Sequence, residues 1–234
     1  RGPLRNDHKH ASEHMDIYLI EAGPRILPMF SEKLSARAQR DLEKMGVIVK
    51  LNTAVQEVKP RTILVKGADS IPSEVTIWAA GVKGEPAGAT LNLPLDGTRI
   101  EVDPTLAVSH YPYVWAIGDI SGAKDADGRF LPMVAPVAMQ QARFVAKQIA
   151  RAHKGEALKA FKYIDKGSMA TIGRHKAVVE VKKFRMTGAL AWFAWLWLHL
   201  FYLLGGRNKV GTMADWTWNY LTFDRGNRHI MDSL

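Results

Sequence analysis

Two carboxylates stand where an α/β sheet would present them to a ligand. Asp119 follows the apolar run PYVWAI and Gly118. That places it at the carboxyl end of a candidate strand, the edge where open α/β sheets bind their ligands. The same aspartate could equally close a turn or cap a helix. Glu21 ends a second apolar run, DIYLIEA. An acidic residue at the end of a second parallel strand is what dinucleotide-binding folds offer to the ribose hydroxyls of NAD; alone, it is as readily a surface carboxylate. A G-x-G-x-x-G turn should precede it, and the sequence holds none, so such a motif would have to lie before Arg1.

Sixteen residues after Asp119, Ala135-Pro136-Val137-Ala138 opens a candidate helix that runs through Met139, Gln140 and Gln141 to a stop at Gly155. Pro136 suits a first helical turn, where a missing N–H costs little. Small residues at a helix start let a planar ring approach, and the exposed N–H groups there can meet a carbonyl or an anion.

The elements that must position these residues follow from periodicity. DIYLIEA predicts a short buried strand. Ser31 to Gly46 predicts a helix, with Leu34, Ala38, Leu42 and Met45 on one apolar face and Ser31 as N-cap. VIVKLNTAVQEVK and TILVKG predict two or three strands, SEVTIWAAG a buried strand ending at Gly81, and PYVWAIGDI another buried strand. FKYIDKGSMATIGRHKAVVEVKKFRMTG alternates enough for hairpin strands. This order of strand, helix and strands predicts an α/β nucleotide-binding layer architecture.

Composition narrows the classes. The 234 residues are 47% hydrophobic and contain no cysteine, which removes disulfides, thiolate metal sites and a redox dithiol; no metal site is expected. The polar N-terminus shows no signal peptide. Residues 1–150 hold 18 Lys and Arg against 17 Asp and Glu, whereas residues 151–234 hold 14 against 6, so the positive charge sits in the last third. Nucleic acid is not expected there, because most aromatics fall in one apolar block instead of lining a cationic groove.

That block is AWFAWLWLHLFYLL, residues 191–204; with Ala189 and Leu190 it gives 16 uncharged residues. A membrane span wants about 20, and His199 lies inside the stretch. Trp192, Trp195, His199 and Tyr202 recur at three- and four-residue steps, and Lys182, Lys183, Arg185, Arg207 and Lys209 flank it. Tryptophan prefers the headgroup interface. The favoured reading is an in-plane anchor on an anionic membrane surface through residues 182–220; a single span and a soluble core helix are the alternatives.

EAGPRILPMFSEKLSARAQRDLEKMGVIV, WAAGV, VWAIGDISG, APVAMQQARFVAKQIA and YIDKGSMATIGRHKAVV, in that order and spacing, resemble the type II NADH:quinone oxidoreductases. These are non-proton-pumping, single-subunit flavoenzymes, and the likeness runs from about Asp16 to the C-terminus. It implies a two-dinucleotide-binding-domain, Rossmann-like α/β flavoprotein. Residues 1–95 would be part of the NADH domain without its glycine loop, 96–154 the end of the FAD domain, and 155–234 the quinone-site and membrane-anchoring region.

The resemblance also implies roles. NADH would be the substrate, with Glu21 at its ribose and the Ala79-Ala80-Gly81 turn letting it lie close to the backbone. FAD would be held by Gly118 and Asp119, with Ala135, Pro136, Val137, Ala138 and Gln140 against its ring and Lys166 near its reactive end. Gln140 and Lys166 become the catalytic candidates, and Pro136, Met139, Gln140, Lys166 and Met169 the quinone contacts. A cation at Lys166 could stabilise reduced flavin or deliver a proton to the quinone, or it could be an ordinary turn lysine. The family's helix often begins Ala-Gln, and here Pro136 replaces that glutamine. The resemblance further implies a homodimer, peripheral on the cytoplasmic face of the inner membrane. With the FAD and NADH glycine loops missing from it, the 234-residue chain is expected to be a fragment that binds either cofactor poorly. The alternatives are a soluble FAD-dependent pyridine-nucleotide reductase with a protein acceptor, and an inactive membrane-associated fragment.

Overall fold

Strand β1 (Ile17–Ile20), helix α1 (Glu32–Lys44) and strand β2 (Val47–Lys50) form a βαβ crossover in a computed structural model, which describes residues 15–67, 69–203 and 205–222. The polar N-terminal reading, Leu204 of the apolar stretch and the last residues of the chain lie outside the described residues. β1 and β2 pair in parallel, from Ile17 opposite Val47 to Ile20 opposite Lys50, and parallel neighbours require such a crossover. Leu34 and Ala38 of α1 are buried with Ile26 and Phe30, against Leu19 and Val49 of the two strands. Ser31 takes the N-cap position without a side-chain bond to the helix, and Gly46, at φ 86°, turns the chain into β2. Strands β3 (Val55–Lys59), β4 (Thr62–Val65) and β5 (Ile71–Pro72) follow as an antiparallel sheet burying Ile63, Val65 and Ile71.

Next come the short helix α2 (Ala87–Thr90), strands β6 (Leu95–Asp96), β7 (Arg99–Ile100), β8 (Ala107–Val108) and β9 (Tyr111–Trp115), and a 3-10 turn at Gly118–Ile120. Helix α3 (Ala135–His153) begins with Pro136 in its first turn, as read. Its buried Val137 and Val145 share a core with Leu106, Ala123 and Leu131.

The chain then forms the antiparallel sheet β10 (Ser168–Gly173), β11 (Lys176–Val181) and β12 (Phe184–Thr187), and helices α4 (Gly188–Tyr202) and α5 (Gly206–Thr222). β11 is buried on both faces. Val178 joins the α1 core, while Ala177 and Val179 pack with Ala191 and Trp192 of α4. Glu180, on the Val178 face, accepts the Ser31 N–H at 2.7 Å and Arg185 Nε at 2.6 Å. The Arg185 hydrogen bond first, and the Ser31 N–H second, hold its carboxyl below the usual carboxylate range.

This packing joins the last part of the chain to the first. The two compact units are 1–76 with 167–234, and 77–166. Two expected buried strands differ. SEVTIWAAG forms no strand, with Val75 at 80%, Ile77 at 84% and Trp78 at 64% exposure. An apolar run becomes a strand only when a neighbouring strand takes its N–H and C=O groups in series; here the Ser73 N–H reaches the Arg61 carbonyl, and the Val75 and Ala79 carbonyls accept from Ser73 Oγ and the Gly81 N–H within the segment itself. PYVWAIGDI does contain β9, but among the described residues β9 pairs only with the two-residue β8, so Tyr113 and Val114 stay exposed. β1 is likewise only half-buried, with Ile17 and Tyr18 exposed.

Gly167 sits at φ 88°, and a Cβ there would overlap the Glu180 carbonyl oxygen and stand 2.8 Å from Val181 Cα. Gly167→Ala should therefore destabilise the fold by about 2–5 kcal/mol, the sum of left-handed backbone strain and overpacking. Gly173→Ala, whose Cβ would meet only the flexible Met45 thioether, should cost clearly less; urea denaturation of both variants checks the contrast.

Candidate functional site

The unit formed by residues 77–166 gathers most of the candidate residues around the start of α3. The chain leaves β9 through buried Ala116 and turns at Gly118, where φ is 72°. A side chain at this position would be strained by that φ. The Gly118 N–H donates to Gln141 Oε1 at 2.6 Å, and Gln141 is 1% exposed. A Cβ on Gly118 would stand 3.6 Å from the Ala138 Cβ, so the small residues at the helix start do allow a close approach, here by the turn itself. One glutamine side chain thus fixes the Gly118-Asp119 turn against α3.

Asp119 projects from this turn exposed, with no hydrogen bond or ion pair among the described residues. Gly84 lies against it: a Cβ on Gly84 would come within 2.8 Å of the Asp119 carbonyl oxygen. The segment after Ala80 and Gly81 therefore runs to the Asp119 turn. Ala80 and Gly81 are exposed, and Gly81 adopts φ 86°.

At the helix start Ala135 is exposed, Pro136, Ala138, Met139 and Gln140 are half-buried, and Val137 is buried. No side chain caps this end, and its first turn holds no acidic residue. Its partial positive charge is thus uncompensated from within the helix, which suits an anion or a carbonyl. Gln140 directs its amide at the Ile164 peptide, with Nε2 to the carbonyl oxygen at 2.9 Å and Oε1 to the N–H at 3.0 Å. Lys166 is exposed. Nearby, burial first and then the Asp165 charge push the Tyr163 hydroxyl up.

Two candidates lie in the other unit. Glu21 stands at the carboxyl end of β1, half-buried, where its Oε1 accepts the Gly23 N–H at 2.7 Å. Met169, read as a quinone contact, is partly buried against the Ala177, Val179 and Ala191 core.

Sequence reading passed over Gln141 and Gln148. Val137, Gln141, Val145 and Gln148 are the buried stripe of α3. Two amides on an apolar helical stripe were the available signal, since buried amides need partners.

The unexposed side of α4 also differs from expectation. Trp192 turns inward onto the β11 core and Trp195 is half-buried, stacked 3.8 Å from the His199 ring. The open apolar stripe is Leu190, Phe193, Trp197 and Phe201, with Leu190, Trp197 and Phe201 each more than 70% exposed. β11 decides this by taking the Ala191 face. Among the described residues no helix is long and apolar enough to cross a membrane.

Residues 8–142 match the pyridine nucleotide-disulphide oxidoreductase family, and residues 166–225 match the NDH2 C-terminal domain. The type II NADH:quinone oxidoreductase NdhA of Mycobacterium tuberculosis is 38% identical over 93% of the chain and 48% of its own length. That of Haemophilus influenzae is 31% identical over 95% and 51%. The chain spans about half the length of these curated relatives. Among solved structures, NDH2 of Plasmodium falciparum in complex with NADH superposes with a TM-score of 0.84 at 16% identity, over 94% of this chain and 61% of that one.

Replacing Gln141 by Leu keeps the volume but strands the Gly118 N–H. The expected loss is about 1–3 kcal/mol, read by denaturant unfolding, with faster hydrogen exchange at the Gly118 amide.

Proposed function

We propose a function from one premise: the chain belongs to the pyridine nucleotide-disulphide oxidoreductase family, and its last quarter carries an NDH2 C-terminal domain. The proposed reaction is NADH:quinone oxidoreduction, with FAD as cofactor and a membrane quinone as acceptor. The observation that carries it is the joining of an FAD-type carboxylate turn, an uncapped helix N-terminus and an apolar helix in a chain with this family match.

The residues fit a flavin. Asp119 offers a free carboxylate to polyol hydroxyls, Gly118 and Ala138 keep the surface flat, and the start of α3 presents positive charge. Bound flavin would supply the chemistry of accepting a hydride from NADH and passing electrons to the quinone. Glu21 would accept hydrogen bonds from the NADH ribose, and its charge would disfavour a 2′-phosphate. Lys166 would bring an ammonium group to the reacting end, where it can favour an anionic reduced state or give up a proton. Pro136 offers no amide hydrogen, so acceptor recognition passes to backbone groups and to Lys166.

Attachment to the membrane would be peripheral. α4 has 15 residues, about 22 Å at 1.5 Å per residue, short of the roughly 30 Å hydrocarbon core. Its Leu190, Phe193, Trp197 and Phe201 stripe would lie in the interface plane. Lys209, whose Nζ stands 5.3 Å from the Phe201 ring, and Arg207 would reach anionic headgroups, each contributing about 1 kcal/mol.

The test is NADH oxidation by flavin-loaded protein with a short-chain quinone, compared with ferricyanide and with a soluble protein acceptor. Quinone turnover is expected, and Lys166→Ala should lower it at least about tenfold more than it lowers ferricyanide reduction. Turnover with the protein acceptor alone would replace this reading with that of a soluble reductase. Co-sedimentation with anionic liposomes should fall on Trp197→Ser and Phe201→Ser substitution; binding unchanged by both would remove the α4 stripe from the attachment.

A further inference from the structure

Residues 159–164 lie in no strand, yet the backbone groups of Lys159 and Ile164 are held by side chains of α3, while the Phe161 N–H donates to the Pro104 carbonyl oxygen at 2.7 Å. Gln148 binds Lys159 at both ends: its Oε1 accepts the Lys159 N–H at 3.2 Å and its Nε2 donates to the Lys159 carbonyl. Gln140 repeats the pair on Ile164, at 3.0 and 2.9 Å. Between them Phe144 meets Phe161 edge to face, with ring centroids 5.2 Å apart. Residues 140, 144 and 148 recur every four positions and share one side of the helix. Their partners run the other way, as 164, 161 and 159.

A carboxamide carries a donor and an acceptor much as a peptide does, so each glutamine serves as one rung of an antiparallel ladder. The ladder returns the chain along α3 toward its N-terminus. Lys166 stands two residues beyond the last rung, within about 7 Å of chain.

We propose that Gln140 is a positioning residue for the quinone half of the reaction. It sets where the Lys166 ammonium stands at the start of α3 by fixing both polar groups of Ile164, and it does so without touching the quinone. This rests on the quinone-reductase reading. Gln148 and Phe144 hold the far part of the same segment, while Gln140 holds Ile164, the rung nearest Lys166 in the chain.

Two substitutions test this in flavin-loaded protein. Gln140→Leu removes both rungs to Ile164. Gln140→Glu keeps the acceptor, loses the donor when ionised, and regains an O–H donor when protonated. Gln140→Leu should speed exchange of the Ile164 amide about tenfold or more. It should also lower quinone turnover several-fold relative to ferricyanide reduction, and it should add little to Lys166→Ala in the double variant. Gln140→Glu should be impaired at pH 8 and recover toward the unsubstituted protein as pH falls through the carboxyl's pKa.

Unchanged Ile164 exchange in Gln140→Leu would overturn the clamp whatever the activity. Full additivity with Lys166→Ala, or no acid recovery in Gln140→Glu, would overturn positioning through Lys166. Absence of quinone turnover in the unsubstituted flavin-loaded protein would overturn the reaction itself and Lys166's part in it, while the exchange measurement still decides the clamp.

Discussion

Strand β11 must satisfy two layers at once, and the larger unit is built around that demand. Ala177 and Val179 face α4, while Val178 and Glu180 face α1. Side chains alternate strictly along a strand, so a slip of one residue would turn a carboxylate onto the apolar helix and a valine onto the Ser31 amide. The register is therefore fixed by chemistry on both faces as well as by the tight turns that flank the strand. Its effect is mechanical: the apolar helix and the βαβ crossover are two sides of one strand, so the part suited to lipid and the part carrying Glu21 belong to one body.

The smaller unit answers a different constraint. Irregular chain beside a packed helix must still satisfy its peptide groups, and α3 does this with amides. Gln141 serves the Gly118 turn, Gln140 serves Ile164 and Gln148 serves Lys159. Hydrogen-bonding side chains on a helix are more rigid than a loop's own turns. The helix that packs the core thereby also fixes the carboxylate turn and the approach to Lys166.

Much of this was legible in the sequence where one element's own period carried the signal. Helices α1 and α3, the hairpins of β10 to β12 and the Gly118-Asp119 turn all follow from local pattern and punctuation. What was not legible depended on neighbours. SEVTIWAAG has the residues of a strand, but no ladder partner among the described residues. The exposed side of α4 is set by which face β11 covers, and Trp192 and Leu190 cannot be sorted without it. Gln140 looked like a group for a ligand because its sequence position matched a family motif, and its bonds to Ile164 appear only once the chain has doubled back. The division into units was hidden for the same reason, since β11 meets α1 across more than a hundred residues.

The exposed run from Val75 to Val82 has a consequence for the protein as a material. It has no regular secondary structure, is rich in β-branched and aromatic side chains, and is free of proline and of acidic residues. Exposed apolar segments of this composition are prone to pair with one another between copies. In concentrated solution these eight residues therefore work against the +9 charge, which lies mostly elsewhere in the chain and keeps copies apart.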